Sequence, residues 1–393
     1  MRSDIFNLAV AAVLAQSAST LPTERQRHYE DHHYDHDHER PMSNDYRVSY
    51  DPRPFYIIDN MTDSPLKAKL QSCENGPFSV TSFSIGHRGG ATLQFPEETC
   101  TVPFTAANAT SPANALCCTS DITTAEYMSL CGKQDGFNAS ATNVEDYQHG
   151  TPTWRTDLYS TCGTVQSLDS YITLVESLPG HRNYTPELKT PPAQVPMPFN
   201  GYTQTHFARA LINSFIARNI SASRVWAQSF HPPDIYQWIA EFPSFGRQAV
   251  YLDEDGDTPA TLANASSLAR LAAIKARGVN IIAPPFGYLL TTTVDNKTII
   301  PSTYAHSAKA AGLEIIPWTF ERSGPLATVK ARNEYYYGFF AQGVRSDGQL
   351  YEILDVLARQ VGIQAIFSDW ASTVSYYANC FGLEYGGFCE RDE

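Results

Sequence analysis

The chain reads as an α/β protein, a (β/α)8 barrel of TIM type that is missing or distorted at one βα unit. Three observations carry that reading. Short β-branched or aromatic runs alternate with segments of helical period, polar residues cluster where the apolar runs end, and seven strands are found where closure wants eight. The strands are expected over 83–86, 184–188, 224–229, 248–252, 280–283, 314–318 and 364–368, and the helices over 167–177, 204–218, 233–242, 263–277, 303–311 and 349–361. Strands separated by helices at this spacing build a parallel sheet covered by helices. An open doubly wound sheet accepts the same alternation but usually carries a G-x-G-x-x-G turn, which this sequence lacks.

The polar strand ends are His87 and Arg88, Glu187 and Lys189, Gln228 and Ser229, Asp253, Trp318 and Asp369. In a barrel those ends share one face and build the site. The interval from Thr99 to Gln166 is different. It is rich in Ala, Thr, Asn and Cys, shows no apolar strand, and reads as a disulfide-pinned insertion at about 100–166.

A length of 393 residues is enough for one large domain or two ordinary ones, with ample material for a core. Net charge is −13 and no Lys/Arg-rich run occurs, which argues against a nucleic-acid surface. Arg2, the apolar run from Ile5 to Leu14 and the small residues Ala15 and Ser17 have the form of a signal peptide over 1–17. Residues 18–50 read as a disordered leader, polar and rich in histidine (His28, His32, His33, His36, His38). Weak transition-metal binding is its alternative role. The barrel domain is expected over 51–393, with folding starting near Pro54-Phe55-Tyr56. Seven N-x-S/T sequons, at Asn60, Asn108, Asn138, Asn183, Asn219, Asn264 and Asn296, and an even set of eight cysteines suit a secreted, disulfide-bonded glycoprotein. No run reaches the length of a membrane-spanning helix.

The most informative stretch is Gly86-His87-Arg88-Gly89-Gly90 followed by Pro96-Glu97-Glu98-Thr99. Arginine meets phosphate oxygens with a fixed fork and histidine titrates near neutral pH, so the pair suits phosphate-ester chemistry. Further on come Glu187-Leu188-Lys189, Ser229-Phe230 and Ile366-Phe367-Ser368-Asp369-Trp370. In this order the motifs resemble the glycerophosphodiester phosphodiesterase family, specifically its secreted fungal-type members, from about Pro52 to Cys389.

That resemblance implies a phosphatidylinositol-phospholipase-C-like barrel. It implies hydrolysis of a glycerophosphodiester or lysophospholipid-like small molecule to an alcohol and glycerol phosphate, with a divalent cation, calcium or magnesium. His87 would be one of two acid/base histidines, Arg88 and Lys189 would hold phosphate oxygens, and Glu187 would be a metal ligand. Glu97, Trp318 and Asp369 would support the site. For Trp318 a place in the barrel core stays open, and for Asp369 a helix cap does.

The sequence departs from the family in one place. The family's Glu-x-Asp strand end and His-Asp pair should follow Thr99, which instead runs directly into Cys100-Thr101-Val102-Pro103-Phe104. The missing piece is the second βα unit, the same one that the strand count lacks. A lost exon or splice variant and a paralogue without catalysis both explain it. With one carboxylate motif gone, cation binding and turnover are expected to be impaired, with Glu97, Glu98 and Asp253 the remaining candidates for substitute ligands. The competing readings are a non-catalytic secreted barrel that binds phosphodiester or cell-wall ligands, and a cyclising phospholipase D.

Overall fold

A computed structural model describes residues 49–50, 52–86, 92–93, 102–116, 118–133, 137–148, 150, 154, 163–178, 180, 182–193 and 195–383. The expected signal peptide, nearly all of the leader, and His87, Arg88, Glu97 and Glu98 lie outside the described residues.

Among the described residues seven strands run parallel: β1 Ser84–Gly86, β2 Glu187–Leu188, β3 Gln228–Ser229, β4 Val250–Leu252, β5 Ile281–Ala283, β6 Glu314–Ile315 and β7 Ile366–Ser368. Each falls inside a run expected from the sequence. Strands β4, β5 and β7 are buried along their whole length, as parallel strands covered on both faces must be.

Strands β2 to β6 form one sheet in chain order, and β1 pairs with β7 in a second. Among the described residues four backbone hydrogen bonds stitch the two together: Gln364 N–H to the Ile315 carbonyl (2.9 Å), Phe367 N–H to Pro317 (3.1 Å), Phe320 N–H to Phe367 (2.8 Å) and Asp369 N–H to Phe320 (3.0 Å). The resulting order is β2-β3-β4-β5-β6-β7-β1. Among the described residues no backbone bond joins β1 to β2, and the arc does not close.

The sheet separates two cores. Its inner face packs Trp226, Val250, Leu252, Ile281, Ala283, Ile316, Ala365 and Phe367 against one another, with Ile85, Phe230 and Trp318 at the margin. The outer face meets the helices through a much larger cluster that includes Leu211, Phe215, Trp238, Leu271, Tyr304 and Leu354. Period-two alternation along each strand produces this division.

Three of the covering helices begin where a side chain satisfies one of their first N–H groups. Ser167 caps Leu168–Ser177, Thr203 caps Gln204–Ala217 and Ser302 caps Thr303–Ala310. In Gln204–Ala217 the buried residues Ala208, Leu211, Ile212 and Phe215 recur at three- and four-residue spacing, which makes the apolar stripe that lies on the sheet.

Two expectations are corrected. The single helix expected over 263–277 is two helices, Pro259–Ala265 and Leu268–Ala276. At the break the Ser266 hydroxyl donates to the Leu262 carbonyl, a local bond that competes with helix continuation. The interval 100–166 is not free of strands. Val102–Thr105 pairs antiparallel with Asn114–Leu116, and Cys131–Lys133 pairs with Thr92–Leu93 and Gly163–Thr164. Strands of two to four residues are too short for alternation to show in sequence. None of them joins the parallel arc.

Cys73, just past helix Pro65–Gln71, is bonded to Cys380 in the last helix, Ala371–Phe381, with Cα atoms 5.5 Å apart. Cys118 is a buried free thiol, so the even cysteine set is not wholly paired. The bond closes a loop spanning a sequence separation of 307 residues. Replacing Cys73 by serine is expected to cost about 2–5 kcal/mol, read as a lowered denaturant midpoint. An unchanged midpoint would show that packing alone holds the two segments together. No described helix is long and apolar enough to cross a membrane.

Candidate functional site

Because the seven strands are parallel, their C-terminal ends lie on one face. Glu187 and Gln228 stand opposite each other there, in register across β2 and β3. Trp226 and Phe230, two residues either side of Gln228, belong to the inner cluster, so Gln228 and its register partner Glu187 face inward. Ser229 faces outward, where its hydroxyl donates to Asp234 of helix Pro232–Glu241 (2.8 Å). The Ser-Phe element therefore anchors β3 to its helix with one residue and lines the inner face with the other.

Lys189, two residues beyond Glu187, makes an ion pair with the Glu187 carboxylate. Its side chain is 69% exposed, and its ammonium lies 5.7 Å from the centre of the Phe230 ring. Phe230 meets Trp318 edge-on at 5.5 Å. The Trp318 indole N–H donates to the Ala283 carbonyl (2.6 Å) and the ring packs edge-on against Tyr336. Trp318 is thus half-buried against the inner core, the first of the two places left open for it.

Asp369, directly after β7, pairs with Arg322 (3.3 Å), and the following helix takes its N-cap at Trp370. Beside it the Arg53 guanidinium lies 4.5 Å over the Trp370 ring and pairs with the buried Glu321. Arg322, Arg53 and Glu321 were missed by sequence reasoning. Their partners are remote in the chain, and no local pattern marks them.

Glu254 was also missed. It follows β4, and its carboxyl is held above the ordinary carboxylate range by partial burial first and then by Asp257, with Asp255 and Glu187 adding and Lys189 opposing. It therefore lies within electrostatic reach of the Glu187–Lys189 pair.

Asp253, considered as a substitute ligand, is not one. It is fully buried and faces outward. Both Arg270 nitrogens reach it (2.9 and 2.8 Å) and the Tyr304 hydroxyl donates to it (2.5 Å). Its oxygens are spent on structure.

The described strand ends bring Glu187 and Lys189 into contact, place Trp318 next to them through Phe230, and set Asp369 on the far side of the arc. Among the described residues no group of three His, Cys, Asp or Glu side chains is placed to hold a metal ion. Oxygen donors are nevertheless present on one face: the Glu187 carboxylate and the side-chain carbonyl of Gln228, which is buried and has no hydrogen-bond donor among the described residues. That donor type fits a hard cation such as calcium or magnesium.

No family model matches the chain. An "Extracellular protein" of Arthroderma benhamiae is 45% identical over 251 residues, which is 63% of this chain and 100% of that protein. The chain belongs to that protein's family. Among solved structures, the chain is similar to a glycerophosphodiester phosphodiesterase from Parabacteroides distasonis (14% identity, 64% of this chain and 79% of that one, TM-score 0.32). It is also similar to a protein from Silicibacter pomeroyi assigned as a glycerophosphoryl diester phosphodiesterase (15% identity, 75% and 84%, TM-score 0.40). Overlaps this partial decide neither the fold nor the chemistry of this chain.

Proposed function

We propose that this protein is secreted and takes glycerophosphodiesters at the C-terminal ends of its parallel strands. It hydrolyses them to an alcohol and glycerol phosphate, weakly in the chain as it stands. The observation that carries the reading is the Glu187–Lys189 pair, a carboxylate and a mobile cation side by side against the Phe230–Trp318 wall. The motifs around His87 and Arg88 and the extracellular relative support it.

In this reading Lys189 turns from Glu187 to a phosphate oxygen when substrate arrives, and the exposure of its side chain leaves room for that swing. Arg88 meets the two non-bridging phosphate oxygens with its fork, sharing one of them with Lys189, and His87 moves a proton at the departing alkoxide. Phe230 and Trp318 exclude water on one side. A divalent cation at Glu187 and Gln228, when bound, would offset developing negative charge on the phosphoryl group.

Replacing Lys189 or Arg88 by alanine is expected to weaken binding of glycerol 3-phosphate by about 1.5–3 kcal/mol, the worth of one charge-assisted contact. Titration calorimetry against the unmutated chain measures it. Equal affinities in both variants would place the phosphate elsewhere. Tight phosphodiester binding with no product release by the unmutated chain would make it a binding protein rather than a hydrolase.

A further inference from the structure

We propose that Gln228 is a direct ligand of the divalent cation, its side-chain carbonyl oxygen standing beside the Glu187 carboxylate across the β2–β3 pair. The proposal rests on the cation-site reading above and adds to it the second protein oxygen.

Four observations converge on that oxygen. Gln228 and Glu187 occupy one register position on neighbouring parallel strands, so their side chains leave the sheet together at the spacing of adjacent strands, roughly 4.8 Å. Gln228 is 6% exposed, and its inward direction is fixed by its neighbours: Trp226 and Phe230 lie with the inner cluster while Ser229 bonds outward to Asp234. Its amide nitrogen donates to the Thr185 carbonyl at 3.2 Å. Flipping the amide would set oxygen against oxygen there, so the orientation is determined. The carbonyl oxygen is left buried without a donor.

A buried acceptor without a partner marks a missing group. Three features make that group a cation. The neighbouring Glu187 is itself acceptor-only when ionised, so the two side chains together present oxygens and no proton. The positive charge now beside Glu187 comes from Lys189, whose mostly exposed side chain is free to give up that place. Carboxylate and amide carbonyl oxygens are the ligand types that calcium and magnesium take, with water and substrate phosphate completing the shell. A substrate hydroxyl would satisfy the carbonyl alone and leave Glu187 unneutralised whenever Lys189 turned to phosphate.

The test is titration calorimetry of the purified full chain with calcium chloride and, separately, magnesium chloride, with no substrate present. The unmutated chain should bind one of the two saturably. Gln228→Leu, which removes the oxygen at similar volume, should weaken that binding at least about tenfold, and Gln228→Glu, which adds charge to the oxygen, should tighten it. Should Gln228→Leu fail to fold, Gln228→Glu decides alone, since unchanged affinity there overturns the assignment. Equal affinity of Gln228→Leu and the unmutated chain, or no saturable binding by the unmutated chain, also overturns it.

The phosphodiester reading is judged separately, by glycerol 3-phosphate titrated without cation. Phosphate binding that needs Lys189, together with cation binding indifferent to Gln228, would sink only the ligand assignment. Cation binding that needs Gln228 without any phosphate binding would sink only the phosphodiester reading.

Discussion

Replacing Asp253 by alanine is expected to destabilise the protein by about 3–5 kcal/mol, the cost of breaking a buried ion pair from one side. Asp253 is fully buried at the end of β4 and receives both Arg270 nitrogens and the Tyr304 hydroxyl. Alanine would take the buried acceptor from the Arg270 guanidinium, leaving it only the exposed Asp255 and the Ala265 carbonyl, and would leave the Tyr304 phenol without its Asp253 acceptor beneath helices Leu268–Ala276 and Thr303–Ala310. Burial, and then the Asp253 charge, push the Tyr304 hydroxyl far above its usual range, so it stays a proton donor in this network at any ordinary pH. Urea denaturation of Asp253→Ala, with Asp253→Asn as the variant that keeps shape but loses charge, measures the effect. The combined variant Asp253→Leu, Arg270→Met, Tyr304→Phe should recover much of the loss, because apolar groups of similar volume often replace a buried pair at little cost. A change below about 1 kcal/mol in Asp253→Ala would show that the cluster does not hold the two helices on the sheet.

Hydrolysis of glycerophosphodiesters by the chain as it stands is expected at trace level. In the proposed reading Glu187 would supply one carboxylate and Gln228 a neutral oxygen, which would leave a cation short of the negative charge that such sites draw on. In the same reading His87 would serve one of two proton transfers, and the missing His-Asp motif would leave the other unassisted, a loss of about 10²–10⁴-fold. Inserting a βα unit bearing the family's Glu-x-Asp and His-Asp motifs between Thr99 and Cys100 should restore turnover that a chelator abolishes. Release of choline or ethanolamine from the glycerophosphodiester, followed with and without chelator, reads both proteins. Robust chelator-sensitive turnover by the sequence-verified chain at its present length would place the cation site elsewhere.

The parallel strands were legible because each is a short run of apolar or β-branched residues bounded by turn residues, with capped amphipathic segments between them. Glu187 and Lys189 were legible as a pair for a related reason. Lys189 stands two residues after Glu187 in extended chain just past the strand, a spacing that keeps both on one face. The limits of local pattern appear at Ser266, where a side-chain bond splits an otherwise continuous helical period, and in Val102–Thr105 and Asn114–Leu116, which are too short to show any period.

By itself the sequence determined the order of strands and helices, the single face on which the strand ends gather, and the residue types at that face. Only the tertiary structure decided which of those residues remain free for chemistry. Asp253 and Gln228 look alike in sequence, each a polar residue at the end of an apolar run. Helices Leu268–Ala276 and Thr303–Ala310 bring Arg270 and Tyr304 to the first, while none of the described residues brings a donor to the carbonyl of the second. Likewise the pairing of Cys73 with Cys380, of Arg322 with Asp369 and of Arg53 with Glu321 joins segments far apart in the chain. Local periodicity fixes which way a side chain leaves its strand. What it meets there is set by contacts between distant segments, which exist only once the sheet has assembled.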